Sequence, residues 1–147
     1  MFVAFIGVFI TLFLLFSLTT YTSTDWLIAP FEASCLLAFG VWNSPFSQPR
    51  NIIVGHVISS LVGLIIYHLF GNKPWTIALA VGLVIVLMMV TKTTHPPAAR
   101  NPIIVILEAH SWSFLFMPIL LGTVVIVIMA LIVNNLQSGR VYPIFWR

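Results

Sequence analysis

Long apolar runs alternate with short polar interruptions along this chain. Four of the runs, 2–20, 51–70, 75–91 and 114–133, have the length at which a helix crosses a hydrocarbon core about 30 Å thick. The middle two are joined by the tight turn Gly71-Asn72-Lys73-Pro74. Two further segments, "APFEASCLLAFGVWNSPFSQPR" and "HPPAARNPIIVILEAHSW", fit neither a span nor an ordinary loop. Each begins at proline, continues with small residues, and stays apolar for only two or three turns, about half a bilayer at about 1.5 Å per residue. Short apolar stretches of this kind predict half helices or re-entrant segments. The expected fold is an all-α membrane protein of four transmembrane helices plus two short re-entrant or half helices.

A shift of 67 residues lays Pro30 on Pro97, Ser44 on Ser111, Gly55 on Gly122 and Leu64-Ile65 on Leu131-Ile132. The order span, proline-started short helix, span thus occurs twice. This predicts a single transmembrane domain over 1–147, with one repeat over about 1–70, a second over about 71–136 and a tail over 137–147. With two spans per unit, the copies are expected to be parallel, with a site at their interface.

Composition agrees with the bilayer as solvent. Of 147 residues 61% are apolar and 6% charged, against roughly 25% charged in a soluble domain. The first run lacks the basic n-region of a secretory signal and reads as a span. Six scattered Lys and Arg residues make no basic stripe, so no nucleic-acid partner is expected. Cys35 stands alone, excluding an internal disulfide, and no HExxH or GxSxG motif occurs. Neither an enzyme nor a metal or other cofactor is expected.

An even span count puts both termini on one face, with Lys73, Arg140 and Arg147, and leaves Arg50, Lys92 and Arg100 on the other. Three charges against three settle nothing, but if Arg50 and Arg100 point into a site, the terminal face is cytoplasmic. The expected location is a bacterial inner membrane. Trp26, Trp42 and Trp112 on one side and Trp75, Tyr142 and Trp146 on the other read as interfacial belts.

The candidate chemistry lies at the helix starts. Proline suits a first helical turn, so Pro30 and Pro97 predict two starts, whose free N–H groups would face a small anion the same way. Ala33, Ser34, Ala98 and Ala99 would let a ligand approach the backbone; two interfacial turns without a ligand are the plain alternative. Arg50 offers a planar fork of donors suited to an oxoanion, or snorkels to headgroups. His95 precedes a proline and either donates to an anion or caps its loop. His56 faces a cavity or a neighbouring helix, beside the small-residue stripe Gly55, Ser59 and Gly63, which reads as a packing face. Glu32 and Arg100 read as a charge pair, because buried charges in a membrane are costly unless paired.

The segments "THPP", "PFEASCLLAFG" and "SPFSQPRNIIVGHVISSLVG" resemble the HPP family of integral membrane proteins, in order over nearly the whole chain. The resemblance implies four spans and, from plant chloroplast and cyanobacterial members, nitrite transport. It points to Pro30, Ala33, Ser34, Gln48, Pro49, Arg50, Asn51, Gly55, His56, His95, Pro96 and Pro97. The chain departs from the family pattern at Glu32, where glycine is usual, and at Ala98-Ala99-Arg100. The expectation is a transporter or channel for a small monovalent anion, nitrite first, with the lipid bilayer as its surroundings. So short a protomer leaves little room for a sealed pathway, so a homo-oligomer, dimer or trimer, is expected. The rival is a non-transporting assembly or sensor subunit, which leaves Arg50 and His95 without a task.

Overall fold

Proline starts and left-handed stops divide the chain into helices. In the computed structural model, which describes residues 1–22 and 25–146, helix is the regular structure found. Helix α1 is Phe2–Thr22. Helix α2, Ala29–Cys35, continues as a π turn, Leu36–Gly40. Helix α3 is Pro49–Phe70 and α4 is Pro74–Val90. A 3-10 turn, Pro96–Arg100, leads into α5, Asn101–Leu107, and a π turn, Leu115–Leu120, leads into α6, Leu121–Asn135. A proline stands in the first turn of α2, α3, α4 and α5, where its missing N–H costs nothing. Left-handed backbone ends α3 at Gly71 (φ 73°), follows α4 at Lys92 (φ 54°) and follows α5 at Ala109 (φ 56°).

Three helices among the described residues are long and apolar enough to cross a membrane: Phe2–Thr22, Pro49–Phe70 and Leu115–Asn135. The remaining predicted span is the 17-residue α4. Arg147, one of the charges assigned to the terminal face, lies outside the described residues.

Contacts between helix ends fix the direction of each segment. Val3 and Ile6 of α1 share a groove with Ile132 and Leu136 of α6, so the beginning of α1 and the end of α6 occupy one end of the bundle. The segment leading into helix α2 comes in from the other end, where Asp25, Ile28 and Ala29 share a pocket with Ile104 and His110. The helix finishes at the terminal end, where Phe39 packs on Gly7 and the Phe39 carbonyl accepts from Arg140 Nη1 at 3.1 Å. Helix α3 leaves the terminal end, where the Tyr142 hydroxyl donates to Ser47 O at 2.7 Å. It reaches the far end, where Tyr67 and Gly71 line a pocket with Ala109 and His110. Helix α4 returns, the 96–107 segment crosses again to the far end, and α6 comes back.

The short segments therefore pass from one end to the other and do not turn back, and they run antiparallel, not parallel. The reason is reach. The helix Ala29–Gly40 covers about 18 Å, and the four non-helical residues 25–28 add up to about 13 Å. Two faces must be redrawn accordingly. Arg50 and Lys92 share the terminal end with Arg140, whereas Lys73 stands at the far end beside α4's start. Trp42 lies under Arg140 (5.5 Å to the ring centre) at the terminal end, and Trp75 packs on Phe70 at the far end, so those two residues exchange belts.

Helix α3 is the central element, packed by α4, α5, α6 and the 96–100 turn. Its stripe of small residues admits the second short segment closely. A β-carbon on Gly55 would stand 2.9 Å from His95 Cβ, and one on Gly63 would stand 2.9 Å from Pro102 Cα. Leu15, Phe31, Phe39, Ile52 and Ile126 form the main apolar core around it.

Candidate functional site

Helix α3 turns His56, Ser59 and Ser60 to one side, since positions three and four apart share a helix face. Ser34 of α2 approaches from one direction, and His95 and Asn101 of the second short segment from another. All six side chains are fully buried. The Ser34 hydroxyl oxygen is 2.9 Å from His56 Nε2 and 2.8 Å from His95 Nε2. The two imidazole centres are 5.0 Å apart, and Phe31 packs edge-on against His56 at 5.3 Å.

The hydrogen-bond pattern assigns the protons. His95 Nδ1 is 2.7 Å from Phe46 O, and a carbonyl only accepts, so Nδ1 carries the hydrogen and Nε2 of the neutral ring accepts. Asn101 Nδ2 is 2.9 Å from His56 Nδ1, nearer than Asn101 Oδ1 at 3.3 Å. An amide nitrogen only donates, so His56 Nδ1 accepts and its Nε2 carries the hydrogen. His56 Nε2–H therefore donates to Ser34 Oγ, and the Ser34 hydroxyl donates to His95 Nε2. Pro30 O, at 3.0 Å, competes for that same hydroxyl hydrogen. The chain of bonds has one direction, from His56 through Ser34 to His95. Asn101 Nδ2 is also within reach of Ser60 Oγ at 2.9 Å, and Ser59 Oγ donates to Ala98 O.

The other residues singled out by sequence take structural partners. Arg50, half-buried, donates from Nη2 to Thr91 O at 2.9 Å, tying the start of α3 to the end of α4. Asn51 Nδ2 donates to Thr94 O at 2.9 Å and holds the approach to His95. Gln48 is buried at the terminal end, donating to Ser44 O at 2.8 Å and accepting from Ile144 N at 2.9 Å. Pro30, Pro97 and Ala98 are buried, while Ala33 and Ala99 are half-buried.

Two expectations are corrected. The helix starts at Pro30 and Pro97 do not face one place, because antiparallel segments bring their starts in from opposite ends, with Ala29 beside Ile104. What converges is the start of the second segment, His95, on the body of the first, Ser34. Nor do Glu32 and Arg100 pair: both are exposed, and the one ion pair among the described residues joins His110 Nε2 to Glu108 Oε2 at 2.9 Å. Sequence reasoning missed Ser60 and Asn101 as site residues. The spacing of His56 and Ser60 was the available signal for the first; Asn101 had none, because its partners are 41 and 45 residues away.

A family profile described as HPP, transmembrane region, matches residues 1–143. A transmembrane protein of Dictyostelium discoideum is 37% identical over 151 aligned positions, covering 97% of this chain and 49% of its own length. A second transmembrane protein of that organism is 40% identical over 128 positions, covering 82% of this chain and 45% of its own length. The chain thus spans about half the length of the curated relatives it matches. No solved structure matches. With a profile that runs through every helix described above, the chain belongs to the HPP family of transmembrane proteins.

Proposed function

We propose that this chain is a membrane transporter for a small monovalent oxoanion, with nitrite the first candidate, and that its site is the buried Ser34–His56–His95 cluster. The observation that carries the reading is the convergence of two histidine Nε2 atoms on one hydroxyl, deep between crossing helices. Polar and ionisable groups are costly within a membrane and mark ion or proton pathways by default. His56 Nε2–H and the Ser34 hydroxyl are donors that an oxoanion's two oxygens can accept, in place of the bond between them. A proton taken up by either imidazole would neutralise the anion's charge during passage. The nitrite preference rests on the family resemblance, whereas the small size of the substrate rests on the tight packing at Gly55.

The arrangement also supports an inverted repeat. Long helix, proline-started short helix and long helix occur twice; three passes per unit relate the copies by an axis in the membrane plane, with the site between them. Arg50, Lys92 and Arg140 at the terminal end against Lys73 at the far end favour cytoplasmic termini by the positive-inside tendency.

A specific observation favours the rival assembly or sensor subunit: the six buried side chains bond to one another and to backbone, leaving a closed core that needs no ligand. Nitrite uptake into liposomes containing the purified chain separates the two. The transporter predicts uptake above that of empty liposomes, reduced at least tenfold in His95→Gln and His56→Gln that still fold. Equal uptake with and without protein sinks it.

A further inference from the structure

Glu32 and Arg100 lie level with the middle of the bundle and yet point outward. Arg100 sits between Ala98, whose carbonyl accepts from Ser59, and Asn101, whose amide donates to Ser60. Ser59 and Ser60 are the central residues of the 22-residue α3. Glu32 sits between Phe31, packed on His56, and Ser34, bonded to His56, about one turn from that centre. Both side chains are exposed on the protomer, and neither makes an ion pair or a side-chain hydrogen bond among the described residues. At that depth an outward side chain meets hydrocarbon or another protein. Lipid headgroups, with their charges, stand at the two ends.

We infer that this lateral face docks a second copy of the same chain, with Glu32 of one copy against Arg100 of the other. The two groups are opposite in sign, at similar depth and carried by adjacent segments, since α2 packs against the 96–100 turn. A symmetric pairing satisfies both charges on both copies. The exposed edge of α2 runs on from Glu32 through Leu36 and Gly40 into an apolar groove beside Phe5, Phe9 and Phe13 of α1. That groove gives a neighbouring helix apolar surface next to the charges. The inference does not depend on what the chain transports.

The test uses the full chain in membranes, in a Cys35→Ala background, with two differently tagged copies co-expressed. One copy carries Glu32→Cys and the other Arg100→Cys, and a short bis-maleimide is added. A product carrying both tags is expected, at least tenfold above that with either single cysteine. A yield of doubly tagged product no higher than with either single cysteine overturns the inference. A second measurement starts from the mass of the wild-type protein in nanodiscs. More than one chain per particle is expected, falling to one in Glu32→Arg and in Arg100→Glu and recovering in the double exchange. A single wild-type chain per particle overturns the inference.

Discussion

His56 and His95 meet through one oxygen. Each aims Nε2 at the Ser34 hydroxyl, at 2.9 and 2.8 Å, His56 from within α3 and His95 from the extended residue before the 96–100 turn. Removing the bridge strands a buried donor on one ring and a buried acceptor on the other. Ser34→Ala is therefore expected to cost about 1–3 kcal/mol, read as a lowered unfolding midpoint in detergent. An unchanged midpoint would mean that the hydroxyl is not the link.

The two rings are predicted to hold opposite tautomers, His56 protonated at Nε2 and His95 at Nδ1. Nitrogen-15 shifts of labelled histidine resolve the two forms. Asn101→Asp places an acceptor beside His56 Nδ1, so the hydrogen of His56 should move to Nδ1 while His95 stays as it is. Identical tautomers in the wild type would contradict the bond directions given above.

The close approach of the second short segment to α3 makes a steric prediction. A methyl group on Gly63 meets backbone at Pro102 Cα, 2.9 Å away, whereas one on Gly82 meets nothing within 4 Å. Gly63→Ala should destabilise by about 1–3 kcal/mol through overpacking. Gly82→Ala, in an exposed helix interior, should instead gain up to about 1 kcal/mol from helix propensity. Thermal unfolding of the two variants side by side gives the comparison, and equal shifts would refute the packing account.

The tail supplies a pH-dependent prediction. Tyr142 is buried, donates to Ser47 O at 2.7 Å, and has its phenol pushed above the ordinary value near 10 by burial. A raised value means that the folded state holds this proton more firmly than the unfolded state. The stabilisation is then complete below pH 10 and is lost as pH rises beyond it. Tyr142→Phe should cost about 1 kcal/mol at neutral pH and should also flatten the alkaline fall in stability. A fall of the same steepness in both proteins would exclude Tyr142 as its source.

The sequence by itself determined the helices and their starts. Unbroken apolar runs of this length satisfy their own backbone in lipid as helices, and prolines 30 and 97 mark first turns because there a missing N–H is free of cost. It also singled out Ser34, His56 and His95, although for helix-start geometry that the fold does not have. Only the tertiary structure decided how the short segments travel. Whether a helix too short to span turns back or crosses depends on the non-helical residues beside it, such as 25–28, and on what receives each end. Neither leaves a periodic mark in the sequence. That one choice of direction moved Arg50, Lys73, Lys92, Trp42 and Trp75 to the opposite ends from those expected. It also separated the two helix starts, and it brought His95 against Ser34 across 61 residues of chain.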